Sequence, residues 1–505
     1  MAFILRMVAM GLGSVLSLLW YRVLLGAMGD ALYGLFLTFQ AVTRLGGLGD
    51  LGISGALSLK AGLMMGRRED EKLRKLLASA RALFLFLAVL VLLVLAALSP
   101  WLPQWLKFRD VPGAGSLTVL FIWGGVSGAV LVLAGYFHSL NYAHGTVTWP
   151  ILPAVVVGQM FAPLLHWQLA LWHAPLWVQN LPYIGASLLT GLLAWLMLKW
   201  SHPWLGELRP LGFDRALWKM LAGASGWIYL CSLGSAIYIA TARLVINAGF
   251  GPSIIPSYQA NYKACELAMT LIVSASFVSL PKITQWISSP DATDRRRLLL
   301  EVHRLNAFQI VLGCAGALGY LALNDLFVKF WLGARYQVPF ALQLAFACNL
   351  AVTTGGDAGI QIAGRCGTNG IRTAGLVIAG TGILNLLLAL VSMKLGSITG
   401  IAVAAVVAQS VLTLVLGYVT CRHLGLSMVR WSAKTWVIPL GVILAAGGLR
   451  FWLPDQSLGH MGVLGGTYVL LLLAICRLVG IDRQMLLAEL AIVRAMFKPP
   501  ARTDI

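Results

Sequence analysis

Residues 43–57 read TRLGGLGDLGISGAL. They lie inside an apolar block running from about 31 to 60, yet they hold Arg44, Asp50 and glycines at 46, 47, 49, 52 and 55. On a regular helix six residues separate Arg44 from Asp50 by about 9 Å of rise and roughly 120° around the axis. The two charges therefore cannot pair locally. Either each meets a partner on another helix, or the glycines let the segment bend or open. Irregular backbone at membrane depth is tolerated only where it is buried in protein or lines a water-filled cavity. The plainer alternative is close helix packing through small residues.

The surroundings of this stretch define its solvent. Hydrophobic residues make up 59% of the 505 and charged residues only 11%, with a mean hydropathy of +0.84. A soluble domain carries about a quarter charged residues, so the chain reads as dissolved in a bilayer. Blocks long enough to span, at about 20 apolar residues each, fall near 5–26, 31–60, 79–99, 116–140, 146–167, 177–199, 218–246, 255–282, 303–325, 338–363, 371–393, 398–420, 434–453 and 461–480. We expect an all-α polytopic membrane protein of about fourteen transmembrane helices.

With the N-terminus placed in the cytoplasm, twenty-seven of the Lys and Arg residues fall on the inner side and six on the outer. That positive-inside bias predicts cytoplasmic N- and C-termini. The formal net charge of +19 is then mostly loop charge facing anionic lipid headgroups. Membrane lipids are expected partners and nucleic acid is not.

Several chemistries find no support in the pattern. The first block continues through Trp20, Tyr21 and Arg22 into further spans without a small-residue cleavage site, so we expect it to be retained. The seven cysteines contain no CxxC pair and read as packing; the eight histidines form no HExxH cluster. No Gly-rich phosphate loop is present. The longest outward connection, WLPQWLKFRDVPGAG at 101–115, leaves no room for an extramembrane catalytic domain. We expect no enzyme, no catalytic residues, no metal and no cofactor.

Charges within spans are costly and mark function by default. Four basic residues escape the loops, Arg22, Arg44, Arg243 and Lys263, and Asp50, Glu266 and Asp357 lie at similar depth. Snorkelling to the interface is the bland account for Arg22 and Arg243. Arg44 lies mid-span and points to a cavity. Lys263 and Glu266, at i, i+3, share a helix face and can neutralise each other, either as a structural pair or as a switchable one. Asp50, Glu266 and Asp357 are the candidate ion carriers.

Internal echoes divide the chain. YRVLLGAMGDALYGLFLTF (21–39) resembles ARLVINAGFGPSIIPSYQANY (242–262), which sets Arg22 opposite Arg243 and Tyr33 opposite Tyr258; LAGYFHSLN (133–141) resembles IAGRCGTNG (362–370). Both lie about six spans apart, as two parallel six-span lobes with a site between them require. We expect an N-terminal lobe over 1–200, a cytoplasmic linker over 201–217, a C-terminal lobe over 218–421, helices 13 and 14 over 434–480, and a basic cytoplasmic tail over 481–505.

The pattern RVLLGAMGDALYGLF (22–36), followed by GLGDLGISGAL (47–57) and a basic inward loop, resembles the multidrug, oligosaccharidyl-lipid and polysaccharide exporter superfamily. Fourteen spans make it similar to the polysaccharide transporter branch, the Wzx-type flippases. The resemblance implies pseudo-symmetric six-helix lobes around a central cavity, in a bacterial inner membrane. It also implies a sugar repeat unit on polyprenyl pyrophosphate as substrate, with a polysaccharide polymerase and chain-length proteins as partners. At Arg243 the chain departs from the family, whose members often carry an acid there. Guanidinium groups bind pyrophosphate through forked, charge-assisted hydrogen bonds. Arg44, Arg22, Arg243, Lys263, Tyr33 and Tyr258 are therefore the expected cavity residues. The rival readings are a lipid II flippase, a cation-coupled multidrug exporter and, least, a membrane-embedded glycosyltransferase or polymerase.

Overall fold

The computed structural model describes residues 2–46, 51–66, 69–105, 111–112, 115–143, 156–201, 212, 214–287, 291–452 and 458–480. Among them every regular element is helical. The first run, α1 (Ala2–Gly46), is 45 residues long. Unbroken, it would extend about 68 Å, over twice the about 30 Å of bilayer hydrocarbon. It is in fact two spans joined at Gly29, whose backbone (φ 76°, ψ 169°) reverses the chain.

The remaining longer helices of the first half are α2 (Ile53–Gly66), α3 (Asp70–Leu98), α4 (Leu117–Ala143), α5 (Ala162–Leu171) and α6 (Leu181–Ser201), with single helical turns at Leu102–Trp105 and Leu176–Gln179. A π-helical turn, Val157–Phe161, leads into α5. The second half repeats the order with α7 (Arg215–Phe250), α8 (Ile255–Ile287), α9 (Ala292–Trp331), α10 (Phe340–Ala363), α11 (Gly367–Lys394) and α12 (Ile398–Leu424). Two further helices, α13 (Ile438–Trp452) and α14 (Leu458–Val479), close the described chain. With α1 counted as two spans, and its second part with α2 as one, fourteen helical spans result. Nine of the described helices are long and apolar enough to cross a bilayer on length and composition alone.

Side-chain chemistry sets the helix ends. Asp214 caps α7 by accepting from the Ala216 and Leu217 amides at 2.8 and 3.2 Å, Asp291 caps α9 through Thr293 N at 2.9 Å, and Ser397 caps α12 through Gly400 N at 2.9 Å. Each satisfies a backbone donor the helix cannot. Gly425, left-handed at φ 68°, ends α12.

Within the first half α3 packs on α4, α4 on α6, and α2 on α4. Within the second, α7 packs on α11 and α10 on α12, while α9 meets α8 and α10. The α7–α11 crossing is close because Gly234 lies against the α11 backbone at Ile378 and Ala379, and Gly382 against Gly234. In lipid, where apolar contact alone drives no association, such small-residue crossings supply the packing. Helices α13 and α14 pack on α9, and α13 also on α10. Arg450 on α13 donates to Asp325 on α9 across this junction.

The two halves meet through α1 and α2 against α7 and α8. At one end of this seam Gly34 faces Pro252 so closely that a Cβ would collide with its carbonyl. At the other, Gly52 (φ 75°) faces α7, where a Cβ would come within 2.8 Å of Ser225 O. The helix expected over 31–60 is interrupted here: α1 ends at Gly46, and Leu51 and Gly52, both at positive φ, precede α2. The chain at Leu51 and Gly52 thus departs from the helix, and Gly52 rests on α7. Residues 47–50, with Asp50, lie outside the described residues.

Candidate substrate cavity

Two hairpins build the site. Gly29 turns α1 back on itself; Gly251 (φ 94°, ψ 166°) ends α7 in the same conformation and, after a 3-10 turn over Pro252–Ile254, α8 returns. Tyr21 fastens one hairpin to the other by donating its hydroxyl to Pro256 O at 2.6 Å. Between the hairpins, bounded also by α4, the π-turn, α5 and α6, lies a central cavity of about 340 Å³.

Its wall is aromatic. Trp20, Tyr21, Tyr33, Phe36 and Tyr183 line it, with Tyr21 and Tyr33 edge to face at 5.1 Å. His166 on α5 is fully buried and lies edge-on to Phe36 at 4.5 Å. Its Nε2 is 3.0 Å from Gln179 Oε1, and Gln179 Nε2 donates to Ala174 O. Gln179 therefore presents an acceptor, and His166 carries its proton on Nε2. Its Nδ1, 3.0 Å from the Tyr183 hydroxyl, is left to accept. The imidazole thereby fixes Tyr183 in the cavity wall as a donor turned toward His166. Gln40, Gln159, Gln259 and Asn180 add planar amides to the lining. Gly158 and Gln159 are placed there by the π-turn, an irregularity that often accompanies function.

The charged residues lining this cavity, among those described, are Arg243, Lys263 and Glu266. Arg243 is 7% exposed, and its Nε donates to Gln259 Oε1 at 3.1 Å. Lys263 Nζ lies 2.9 Å from Glu266 Oε2 on α8. A second cavity of about 490 Å³ opens among α7, α8, α10, α11 and α12, and Arg243, Gln259 and Glu266 border both. The surface of this second space is mostly apolar, and the charged residues that border it, among those described, are Arg243, Glu266 and Asp357. Tyr238 donates to Asn349 Oδ1 at 3.0 Å, and Asp357 accepts from Gln309 at 2.7 Å and Gln361 at 3.3 Å.

On the side where both hairpins turn, a polar latch joins the halves. The Tyr336 hydroxyl, in the connection between α9 and α10, donates to Asp30 at the tip of the first hairpin, and Arg335 donates to Tyr336. Burial and the neighbouring Asp30 carboxylate raise the Tyr336 phenol above its ordinary value, so it remains a donor at neutral pH.

This arrangement of helices has counterparts among solved structures. The lipid II flippase MurJ in an inward closed conformation superposes with a TM-score of 0.64 at 16% identity, over 93% of this chain and 97% of that one. An inward-facing multidrug resistance MATE transporter of the MOP superfamily gives 0.61 at 12% identity, over 83% of this chain and 94% of its own. A MOP-superfamily transporter from Pyrococcus furiosus, described by the reverse polarity of its binding pocket, gives 0.57 at 13%, over 84% and 95%. The fold is that of the MOP-superfamily transporters. No protein-family model matches the chain, and no curated protein matches its sequence.

Within this MOP fold the expected site residues separate. Arg243, Lys263, Glu266 and Tyr33 border the central cavity; Tyr258 and Asp357 border the second, with Arg243 and Glu266 common to both. Arg22 is exposed and borders neither. Arg44 stands on α1 one residue beyond Thr43, which lines the central cavity, but its side chain lies outside the described residues, as does Asp50. Sequence reasoning missed Tyr21, Gln259, His166 and Tyr183. Gln259 follows Tyr258 directly in the echoed stretch and was within reach; His166, a lone histidine in an apolar span, gave no sign of its partners thirteen and seventeen residues on.

Proposed function

We propose that this multi-pass membrane protein is a flippase that moves a polyprenyl-pyrophosphate-linked oligosaccharide from the inner to the outer leaflet of a bacterial cytoplasmic membrane by alternating access. The observation that carries the reading is the central cavity. Its aromatic faces and planar amides suit sugar rings, and among its described lining residues two cations outnumber one acid, as an anionic headgroup requires. In this reading 1–200 and 218–421 move as lobes about the seam, α13 and α14 flank the second lobe, and both termini are cytoplasmic. Arg243, Lys263 and Arg44 meet the pyrophosphate, Tyr33 the sugar; Asp50, Glu266 and Asp357 remain the candidates for ion coupling. With the cell interior negative, outward movement of two negative charges is favoured by roughly 4.6 kcal/mol per 100 mV.

A lipid II flippase is the second reading. The MurJ structure matches 93% of this chain against 83% for the MATE transporter, as expected if helices beyond the twelve-span core have counterparts there. Deletion of the gene separates the two. Polysaccharide export predicts complete lipid-linked repeat units trapped on the inner leaflet, and the lipid II reading predicts trapped lipid II. Accumulation of incomplete units points instead to a biosynthetic enzyme and refutes both. Reporter fusions after Arg74 and Arg296 are expected to read cytoplasm and those after Asp30 and Gly251 the outer side; a cytoplasmic reading at Gly251 breaks the lobe arrangement.

A further inference from the structure

The Lys263–Glu266 pair is placed oddly for a structural ion pair. Its residues are three apart on one helix, so the bridge itself ties α8 to no second element, and such intrahelical pairs contribute little. Nor is it sealed in protein: the side chains keep 19% and 30% of their exposure and both border the central cavity. Of the two cavities Lys263 borders the central one, whereas Glu266 also borders the second, where Tyr262, Thr353 and Asp357 stand in the same wall. The other cation, Arg243, gives its Nε to a neutral amide, Gln259. Among the described lining residues the central cavity thus carries two positive charges and one negative.

We infer that Glu266 is a built-in placeholder anion, which holds Lys263 while the cavity is empty and is displaced into the second cavity when an anionic headgroup takes the ammonium. A pyrophosphate diester carries two negative charges. With Glu266 seated on Lys263 the ammonium is neutralised before the headgroup arrives; with Glu266 turned away its charge meets the headgroup. A cation left without a partner at membrane depth is costly, so an empty cavity needs an anion of its own. The exchange lets the protein keep a strong anion site without leaving Lys263 unpaired, and sets an affinity low enough for release. This inference rests on the function proposed above.

The test measures binding of farnesyl pyrophosphate, a short prenyl pyrophosphate, to the full-length protein in detergent by calorimetry. Glu266→Gln removes the competitor and keeps the shape, and is expected to bind about fivefold tighter, the equivalent of a partly exposed ion pair. Glu266→Ala gives a second route to the same gain. The gain must vanish when Lys263 is already Met, because nothing is then left to release. If Glu266→Gln tightens binding equally in the Lys263→Met background, Glu266 merely repels anions and the placeholder role is refuted. If native protein binds and neither Glu266 variant binds tighter, the pair is structural, and the flippase reading survives. If native and variant proteins alike bind no prenyl pyrophosphate, the substrate class and the placeholder fall together.

Discussion

The two hairpins share a turn and diverge in what they carry. Gly29 and Gly251 have almost the same backbone angles, 76° and 169° against 94° and 166°. Counted from these glycines, Tyr21 and Arg243 both lie eight residues upstream; counted from the first residue of the returning helix, Asp30 or Ile255, Gly34 matches Gln259 and Tyr33 matches Tyr258. Where the second hairpin holds the Arg243–Gln259 pair, the first holds an aromatic and a glycine. One hairpin presents charge. The other supplies contact, through the Tyr21 bond to Pro256 and the approach of Pro252 to Gly34. A repeat therefore fixes the path of the backbone while each copy is free to specialise its side chains.

The contact role is the one whose loss should cost most. Gly34→Leu would drive a side chain into the Pro252 backbone, which cannot yield as a flexible side chain can. Overpacking of this kind costs about 1–3 kcal/mol and more where backbone is struck. We expect the variant to fall sharply in membrane abundance and thermal stability. Normal abundance would mean that the hairpins do not meet as described. The charge role predicts a different failure. Arg243→Ala should leave abundance near normal and reduce export of lipid-linked sugar by about ten- to a hundredfold, one to two times the about 1.4 kcal/mol per decade. Arg243→Lys should recover part of it, keeping the charge without the fork. Normal export by Arg243→Ala in membranes would remove the anion site from the second hairpin.

Much of this was legible in the sequence and some was not. Span number and the pairing of Tyr33 with Tyr258 follow from apolar block length and local similarity, which the backbone preserves. The pairing of Arg22 with Arg243 does not survive the geometry. They lie seven and eight residues before their glycines, and one residue on a helix is about 100° of rotation. That single step turns Arg22 to the exterior and brings Tyr21 inward. The irregularity at Leu51 and Gly52 was legible as a run of glycines, but its support was not, because Ser225 lies about 170 residues away and nothing in the stretch encodes it. The aromatic wall was hidden for the same reason: His166, Tyr183 and Phe36 come from three helices.

The latch at the first hairpin's tip sharpens the comparison at smaller cost. Asp30 is held by Tyr336 and faces Arg335 at 3.9 Å, whereas its counterpart Ile255 is fully buried. Tyr336→Phe removes the hydroxyl that donates to Asp30 and accepts from Arg335; the contact with the exposed Arg335 adds little, and loss of the Asp30 bond costs about 0.5–1.5 kcal/mol. Such a change shifts a two-state equilibrium by about two- to tenfold. A cysteine at Gln40, which lines the central cavity, should then react faster with an impermeant thiol reagent added on the hairpin side. An unchanged rate would show that the latch does not hold that side shut.

The smallest effect is expected at Arg22. It matches Arg243 in local sequence, yet it is exposed, borders neither cavity, and stands one helical step from the inward-facing position that Tyr21 fills. Exposed basic side chains near the end of a span settle at the headgroup level, where loss of one charge changes insertion slightly and transport hardly at all. Arg22→Ala should therefore export within about twofold of the native protein, a difference under about 0.4 kcal/mol. Moving the charge is the sharper experiment. Tyr21→Arg with Arg22→Ala places a guanidinium at the position that answers to Arg243, beside a cation already there. Like charges in one cavity repel, so this double variant should lose export although Arg22→Ala alone does not. If instead Arg22→Ala is the damaging change, the one-residue rotation between the hairpins is not what decides which arginine serves the cavity.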